Sequence, residues 1–268
     1  MLTVETIWDN IDKVRGSTPV VHSITNYVVM NSTANALLCA GASPIMAHAK
    51  EELEELINLA NCLVLNIGTL SSSWIESMHL GASIAAANYK PIILDPVGAG
   101  ASAFRTNTAI SLLEEGGISA IRGNASEIMA LAGAGTVTRG VDSSHETDEA
   151  EESAQLLAKK YRCVVSVSGC TDIITNGETT YYLSGGSELM TLVTGMGCTA
   201  TALCGAHLSI TDDSLAAIVS GMGCMAAAGA IAAEKSSGPG TFSIQFLDSL
   251  QSLAENDVKR HVSLEVQS

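Results

Sequence analysis

The sequence predicts an α/β fold with a mostly parallel sheet, and three observations support that prediction. Short runs such as Ile92-Ile93-Leu94 are apolar on both faces, as a strand covered on both sides by helices requires. These runs alternate along the chain with longer segments of helical periodicity. Hydrophobic residues make up 47% of the chain but aromatic residues only 4%, and this composition suits close packing of helices on a sheet.

Six segments bounded by turn residues are predicted to be strands. The last two flank Asn176-Gly177 and are expected to form a hairpin, because an Asn-Gly pair fits a tight turn between antiparallel strands. The predicted strands are 62–68, 90–96, 117–123, 162–169, 172–176 and 179–185.

Helical segments separate these strands and follow the hairpin. The first is predicted to end at Gly41, because glycine readily adopts the left-handed conformation that terminates helices. No change in composition marks a linker, so a single domain over residues 1–268 is expected. The predicted helices are 26–40, 50–60, 73–88, 106–115, 125–132 and 147–161, then 197–208, 213–234 and 242–258.

The charge balance excludes several classes of partner. The chain has 28 acidic and 13 basic residues, and its net charge of −15 repels nucleic-acid backbones and anionic lipid surfaces. We therefore expect no nucleic-acid or membrane partner, although helix-start amides can still bind a small phosphorylated ligand. Seven cysteines without a CxxC pair disfavour a disulfide framework or a zinc site. The N-terminus lacks a signal-peptide pattern, so a cytoplasmic protein is expected.

Residues 215–233 contain no charged side chain and are compatible with a buried helix or a membrane span. The segment consists mainly of Ala, Gly, Ser and Met, which insert into membranes less readily than Leu or Phe. This composition favours a helix buried inside a globular protein.

Ligands of open α/β sheets bind beyond the carboxyl ends of the strands. One such end places Asp95 before Gly98 and Gly100. An aspartate there suits Mg²⁺, held directly or through water, and the glycines allow a backbone to approach a ligand. Alternatively, Asp95 caps the next helix or a tight turn. The stretch matches neither a Rossmann fingerprint nor a P-loop.

A second strand end contains Arg122, Asn124 and Glu127. Asn124 and Glu127 lie three residues apart at a helix start, so both side chains reach one face of its first turn. With the phosphate-pairing guanidinium of Arg122, these residue types suit a metal-bound phosphate. Alternatively, Asn124 is a helix cap and Glu127 completes a capping box.

The tetrapeptide Gly-Met-Gly-Cys occurs twice, at 195–198 and 221–224. The first copy opens a predicted helix, so the amides of Gly197 and Cys198 are expected to face outward and form an anion hole. Cys198 would lie in the first turn, where the helix dipole lowers the pKa of a thiol. The second copy lies inside a predicted helix, where its amides are already bonded and Cys224 is a core thiol.

The most acidic stretch is 137–152. It is compatible with a solvated loop that leads into a helix start, with Ser143 and Glu146 spaced as a capping box, or with a lid over a site.

Five segments, taken in order, resemble one family over nearly the whole chain. They resemble the hydroxyethylthiazole kinases, which belong to the ribokinase-like kinases. The resemblance implies a three-layer ribokinase-like fold with helices on both faces of the sheet, and a homotrimer with sites at subunit boundaries. The segments are VHSITNYVVMNSTANALLCAGASPIM (21–46), LNIGTL (65–70), ILDPVGAGAS with a following RT (93–106), RGNASEI (122–128) and TGMGCTATAL (194–203).

The resemblance also implies roles for individual residues. In the superfamily an Asn-x-x-Glu motif organises Mg²⁺ and phosphates, and a Gly-x-Gly-Asp motif supplies an anion hole and a base. Here Cys198 stands in place of that Asp, as is characteristic of thiazole kinases, and Ser168 stands where many relatives have Thr. The implied roles are catalysis for Gly195, Gly197 and Cys198; thiazole binding for Met46, Gly195 and Asn26; ATP binding for Arg122, Ser168 and Asn124; and magnesium binding for Asp95 and Glu127.

The implied reaction transfers a phosphoryl group from ATP to the hydroxyl of 4-methyl-5-(2-hydroxyethyl)thiazole, in thiamine salvage. A thiol with a pKa of about 8.5 is a poor base for an alcohol. Phosphoryl transfer passes through a loose transition state that requires little deprotonation of the attacking group. The anion hole and Mg²⁺ are therefore expected to contribute more than Cys198.

Three other functions are compatible with the same scaffold. Kinases of hydroxymethylpyrimidine or pyridoxal, and the ATP-dependent dehydratase that repairs hydrated nicotinamide cofactors, are disfavoured by Cys198. A non-enzymatic thiazole or thiamine sensor would need a broken phosphate site, whereas Asp95, Asn124 and Glu127 are all present.

Overall fold

The computed structural model describes residues 1–133 and 143–267, with the side chains of 143–146 left out. Within these residues nine strands form one sheet in the order β2-β1-β3-β4-β5-β6-β7-β8-β9. The pairs from β2 to β6 are parallel and those from β6 to β9 are antiparallel, so the predicted mostly parallel sheet is confirmed. The strands are β1 (Val20–Ile24), β2 (Ser43–Ile45), β3 (Cys62–Asn66), β4 (Ile92–Asp95), β5 (Ile118–Asn124), β6 (Val164–Ser168), β7 (Thr171–Thr175), β8 (Thr180–Ser184) and β9 (Ser263–Gln267).

Eleven α-helices and one 3₁₀ helix, Glu188–Leu192, complete the described part of the chain. The predicted hairpin is β7–β8, and α2 ends at Gly41 as predicted. The helices are α1 (Val4–Ser17), α2 (Met30–Ala40), α3 (Leu53–Leu59), α4 (Ser72–Ala87), α5 (Ala103–Glu115), α6 (Ala125–Ala132), α7 (Ser143–Tyr161), α8 (Met196–Leu208), α9 (Ser214–Glu234), α10 (Pro239–Ser252) and α11 (Glu255–His261).

The helices cover both faces of the sheet, each over its own hydrophobic cluster. One cluster joins the sheet to α1, α2, α8, α9, α10 and α11, and the other joins it to α3 through α7. Successive residues of β3 alternate between the clusters, with Val64 in the first and Leu63 and Leu65 in the second. This alternation explains why β3 is apolar at each position from Cys62 to Leu65.

Several boundaries differ from the prediction. The predicted helix 26–40 begins only at Met30. The predicted helix 242–258 is two helices, because Leu253 is extended and Arg15 of α1 donates hydrogen bonds to the carbonyls of Leu250 and Leu253. Strands β1, β2 and β9 fall outside the predicted elements. β1 contains buried polar residues, β2 has only three residues, and β9 alternates between half-buried and exposed positions.

The acidic stretch 137–152 is partly helical. Helix α7 begins at Ser143, so residues 143–152 are helix rather than loop. The first part of the stretch and the side chains of the expected Ser143–Glu146 capping box lie outside the described residues.

Helix α9 holds the second Gly-Met-Gly-Cys and is long and apolar enough to cross a membrane, yet 89% of its most apolar window is buried inside the protein. The interpretation as a buried helix is therefore confirmed. A Cβ at Gly221 would lie 2.7 Å from Cys204 Cα of α8, and one at Gly223 would lie 2.8 Å from Ile7 Cγ2. The second tetrapeptide thus allows close helix packing, as predicted, and Cys224 is buried.

Candidate active site

The first Gly-Met-Gly-Cys forms the start of helix α8. Gly195 precedes the helix with a φ of 84°, and a Cβ there would lie 2.7 Å from Val29 Cγ1, so both conformation and space favour glycine. Thr199 is the first residue whose amide donates within the helix, to the carbonyl of Gly195 at 2.8 Å. The three preceding amides, through Cys198, therefore point out of the helix start, as the sequence predicts.

Arg122 lies directly against this helix start. Its Nη2 donates to Ser168 Oγ at 2.7 Å, and a Cβ at Gly197 would lie 2.7 Å from its Nη1. The guanidinium is buried, and its Nε has no partner among the described residues. The structure therefore brings Arg122, Ser168 and Gly197 together, with a guanidinium and helix amides at one point. Such an arrangement attracts an anion.

Asn124 and Glu127 form the capping box that was one of the two interpretations. Asn124 Oδ1 accepts from the amide of Glu127, and Glu127 Oε2 accepts from the amide of Asn124, each at 2.9 Å. Glu127 also reaches the loop after β4, where its Oε1 accepts from the amide of Gly98 at 2.7 Å. Gly98 has a φ of 75°, which places its amide toward the carboxylate. Glu127 therefore joins two strand ends of the predicted site.

Asp95 ends β4 and is only 1% exposed. Its Oδ2 accepts from Asn66 Nδ2 at 2.9 Å and from Thr201 Oγ1 of α8 at 2.7 Å. Burial raises the pKa of Asp95 to about 6, although the nearby charge of Arg122 and the Thr201 hydrogen bond act in the opposite direction. The alternative in which Asp95 caps the next helix is wrong, because Ser102 caps α5.

Asn26 connects this carboxylate cluster to Cys198. It follows β1 and is buried, and its Nδ2 donates to Asn66 Oδ1 at 2.7 Å and to Cys198 Sγ at 3.6 Å. The predicted substrate residue Asn26 and the predicted catalytic residue Cys198 are therefore direct neighbours.

The thiol of Cys198 differs from the expectation. Position in the first turn of α8 predicted a lowered pKa, but burial raises the pKa of Cys198 to about 11, with the negative charge of Asp95 acting in the same direction. Hydrogen bonds from Asn26 and Asn66 oppose this shift without cancelling it. The prediction was wrong because loss of hydration outweighs the helix dipole here. Cys198 is consequently a neutral thiol at pH 7.

Met46 makes none of these hydrogen bonds and lies at one edge of the sheet, because it follows the edge strand β2. It follows β2 and is half-buried against the first hydrophobic cluster. The next residue, Ala47, is held by His22, whose Nε2 donates to its carbonyl at 2.9 Å. Met46 thus shares the carboxyl edge of the sheet with the other predicted site residues.

Known proteins resemble the chain over nearly its whole length. A model of the Hydroxyethylthiazole kinase family matches residues 11–256. A hydroxyethylthiazole kinase of Nitratidesulfovibrio vulgaris strain Miyazaki F is 54% identical over 258 residues, covering 96% of this chain and 97% of that protein. The chain belongs to the hydroxyethylthiazole kinase family.

Solved structures agree with this family membership. A hydroxyethylthiazole kinase protein from Pyrococcus horikoshii OT3 matches with a TM-score of 0.92 at 40% identity, covering 98% of this chain and 100% of that one. A ribokinase-like superfamily protein of Enterococcus faecalis V583 matches with a TM-score of 0.64 at 12% identity, covering 95% of this chain and 96% of that one. The second likeness concerns the fold alone, and with it the expected three-layer ribokinase-like fold is confirmed.

In this member of the hydroxyethylthiazole kinase family, two residues of the site were given no role from the sequence, although the strand end at 66–70 was predicted to lie at the ligand site. Asn66 and Thr201 both bond to Asp95, from β3 and from α8. Asn66 ends a buried strand, and Thr201 follows Cys198 by three residues on the same helix. Polar residues at a strand end and on the buried face of a helix were the available signal.

Two further charged residues shape the site of this hydroxyethylthiazole kinase family member. Arg105 of α5 donates to the carbonyl of Val97 and to that of Gly68, both at 2.7 Å, and so ties together the loops after β3 and β4. Asp172 of β7 accepts from the amide of Gly169 at 3.0 Å. Burial raises the pKa of Asp172 to about 6, against the nearby charge of Arg122.

The carboxylates of this hydroxyethylthiazole kinase family member fit magnesium rather than a softer metal. Among the described residues no cluster of three or more His, Cys, Asp and Glu side chains could enclose a metal ion. Asp95 and Glu127 influence each other electrostatically and offer only hard oxygen donors. Magnesium is commonly held by one or two carboxylates together with water and substrate phosphates. The donor set therefore fits an ion that arrives with a nucleotide.

Proposed function

We propose that the chain transfers the γ-phosphoryl group of ATP to the hydroxyl of 4-methyl-5-(2-hydroxyethyl)thiazole, a step of thiamine biosynthesis or salvage. The observation that supports this most strongly is the start of α8, where Cys198, free helix amides and the guanidinium of Arg122 meet. Kinases that the chain resembles at 54% identity have the corresponding name. Cys198, where other kinases of the superfamily have an aspartate, favours the thiazole over other alcohols.

ATP is proposed to bind with its phosphates against the start of α8. Arg122 would pair with phosphate oxygens through its guanidinium, while Ser168 holds that guanidinium in place through the 2.7 Å hydrogen bond. Asn124 opens α6 beside them and is proposed to contribute to the same phosphate site. The amides after Gly195 would stabilise the charge of the transferring group, because they point at it before the reaction begins.

The thiazole is proposed to bind between Met46, Gly195 and Asn26. Asn26 is bonded to Cys198, so a hydroxyl group near Asn26 would lie beside the thiol. Met46 would contact the apolar ring with its flexible side chain.

Asp95 and Glu127 are proposed to bind magnesium. The ion would shield the negative charge of the phosphates and thereby lower the barrier to attack by an alcohol. The Glu127 carboxylate is held by the amides of Gly98 and Asn124, which keeps its orientation fixed. Asp95 is held in the same way by Asn66 and Thr201.

Cys198 is proposed to orient the substrate hydroxyl as a neutral thiol, while the proton of that hydroxyl passes to an oxygen of the transferred phosphoryl group as the new O–P bond forms. A thiol whose burial raises its pKa to about 11 is almost entirely protonated at pH 7. Full deprotonation of the alcohol before attack would therefore be rare. The loose transition state of phosphoryl transfer does not need it. The energetic weight falls on the helix amides, Arg122 and magnesium.

The assembly is proposed to be a cytoplasmic homotrimer of single kinase domains with the sites at subunit boundaries. Tyr27 and Val28 directly follow Asn26 and are 66% and 62% exposed. A neighbouring subunit packed on these apolar side chains would enclose the site. Light scattering should then give three times the chain mass of 27.6 kDa. A monomer mass would contradict the trimer.

The proposed activity is tested by a coupled ADP-release assay with Mg-ATP and three alcohols in parallel: hydroxyethylthiazole, hydroxymethylpyrimidine and pyridoxal. We expect turnover with the thiazole to exceed turnover with the other two. If the thiazole is not turned over, the proposed activity is wrong. If another alcohol is turned over faster, that alcohol is the substrate and the proposed substrate is wrong.

A further inference from the structure

Asn66 is the centre of a buried polar cluster beneath the site. Its side chain is 1% exposed, and every polar atom of its amide is bonded. Oδ1 accepts from Asn26 Nδ2 at 2.7 Å and from the amide of Gly68 at 3.0 Å, while Nδ2 donates to Asp95 Oδ2 at 2.9 Å. A buried amide with both ends used in this way is fixed in space.

The direction of these bonds leaves Asn66 only one orientation. A flipped amide would place its NH₂ group against two other donors and its oxygen against the Asp95 carboxylate. Losing these bonds inside the protein costs more than losing them in water, because no solvent replaces them. The orientation of Asn66 is therefore determined by its neighbours.

Asn26 is oriented in turn by Asn66. Its Oδ1 accepts from the amide of Val28 at 3.0 Å, so its Nδ2 faces Asn66 and Cys198. A Cβ at Gly68 would lie 2.4 Å from Asn26 Nδ2, so the loop after β3 leaves room for that amide only because position 68 is glycine. The loop after β3 and Asn66 together hold the Asn26 amide against the Cys198 thiol.

We infer that Asn66 is a positioning residue, which fixes the Asn26 amide so that its N–H is directed at Cys198 Sγ. The Asn26 N–H thereby keeps the sulfur in one orientation at the start of α8. The kinetic consequence rests on the proposed function, whereas the effect on the thiol does not. Asn66 itself would contact neither ATP nor the thiazole.

Asn66→Ala removes the connection between Asn26 and Asp95. We expect kcat to fall by about 10- to 100-fold, since small displacements of reacting groups have effects of that size. The KM for ATP should rise by a smaller factor than kcat falls, because Arg122 keeps its hydrogen bond to Ser168 and Asp95 keeps its hydrogen bond from Thr201. A general loosening of the protein would instead affect kcat and the KM for ATP together.

The second readout is the alkylation rate of Cys198, measured by mass spectrometry with the exposed Cys170 as an internal reference. The reactive species is the thiolate, which the N–H of Asn26 stabilises. We expect Asn66→Ala to slow alkylation of Cys198 by about threefold or more relative to Cys170. In an Asn26→Ala background the same change should have a clearly smaller effect, because part of the influence of Asn66 on the thiol passes through Asn26 and only the remainder through its own hydrogen bond to Cys198.

Asn10→Ala is the matched control. Asn10 is also a buried asparagine, bonded through Nδ2 to Ser220 Oγ at 2.9 Å, but it lies in α1. Its replacement should leave kcat and Cys198 alkylation within about twofold of the wild type. If Asn66→Ala does not fold, Asn66→Ser takes its place, with falls expected in both readouts because the shorter side chain cannot reach both Asn26 and Asp95.

The inference is overturned if Cys198 alkylation in the Asn66 variant matches the wild type, or if the effect persists in full without Asn26. It is also overturned if kcat is unchanged or if the KM for ATP rises as much as kcat falls. Failure of the wild type to phosphorylate the thiazole would contradict the proposed function, while the alkylation result would still decide the role of Asn66.

Discussion

Gly197→Ala tests the proposed phosphate site with a single methyl group. The new Cβ would lie 2.7 Å from Arg122 Nη1, closer than real Cβ contacts allow. Helix α8 is packed along its length, so the guanidinium must move instead. Its 2.7 Å hydrogen bond to Ser168 would then be stretched or lost. The variant therefore displaces Arg122 without altering its charge.

The size of the effect follows from the bond at risk. Hydrogen bonds of charged groups contribute about 1.5–3 kcal/mol, which corresponds to about 10- to 150-fold in an equilibrium or rate ratio. We expect kcat/KM for ATP to fall within that range. Stability should fall by no more than about 2 kcal/mol, because the preference of alanine for helix, about 1 kcal/mol over glycine, offsets part of the weakened Arg122–Ser168 hydrogen bond.

The assay is steady-state ADP release at varied ATP, together with thermal melting. Gly221→Ala is the matched control, because it replaces a glycine of the second Gly-Met-Gly-Cys, at its first rather than its third position, with the same 2.7 Å distance, but to the Cα of Cys204. Crowding of backbone by backbone should cost about 1–3 kcal/mol of stability. The folded control should keep kcat/KM within about threefold.

The result that would refute this reasoning is an unchanged kcat/KM for ATP in Gly197→Ala. Equal losses of activity in both variants would refute it as well, since the two copies would then have the same role.

Three further predictions concern the thiols and Asp95. Cys198→Ala should lower kcat by about 10- to 100-fold, which is less than the loss on removal of magnesium. Cys224→Ala should leave kcat within about twofold. Equal effects of the two substitutions in an ADP-release assay would contradict the different roles given to the two cysteines. Because burial raises the pKa of Cys198 to about 11, kcat should change by less than about threefold between about pH 7 and 9, whereas a required thiolate would give a rise of about tenfold per pH unit. Burial also raises the pKa of Asp95 from 3.8 to about 6, so the folded state loses up to about 3 kcal/mol relative to the unfolded state as the pH rises through that window. Asp95→Asn should therefore raise the melting temperature at about pH 7.5, in EDTA without nucleotide, and leave it unchanged at about pH 4. The same variant should lose most of its activity. A lower melting temperature of the variant at about pH 7.5 would show instead that the ionised carboxylate stabilises the fold.

Much of the fold was predictable because its determinants are local. The doubly apolar runs of β3 and β4, the Asn176-Gly177 turn and the Gly41 helix stop act within a few residues of sequence. The break between α10 and α11 was not predictable in this way. It depends on Arg15, which lies more than 230 residues away in the chain.

The features of the site also separate into those determined by local sequence and those determined by contacts distant in the chain. The capping box of Asn124 and Glu127 and the outward amides of α8 follow from local spacing. The raised pKa of Cys198 does not, because it depends on burial and on the charge of Asp95, and both arise only when β4 and its neighbouring strands pack against α8. Asn66 likewise becomes a site residue only when β1, β3 and β4 lie side by side.

The most direct test of the account is identification of the product formed from hydroxyethylthiazole and Mg-ATP by liquid chromatography and mass spectrometry. The account predicts thiazole phosphate and ADP in equal amounts. The amounts of both products should fall together in Gly197→Ala, and neither amount should fall when the folded fraction of Gly221→Ala is assayed. ADP released without thiazole phosphate, or phosphate found only on pyridoxal or hydroxymethylpyrimidine, would contradict it.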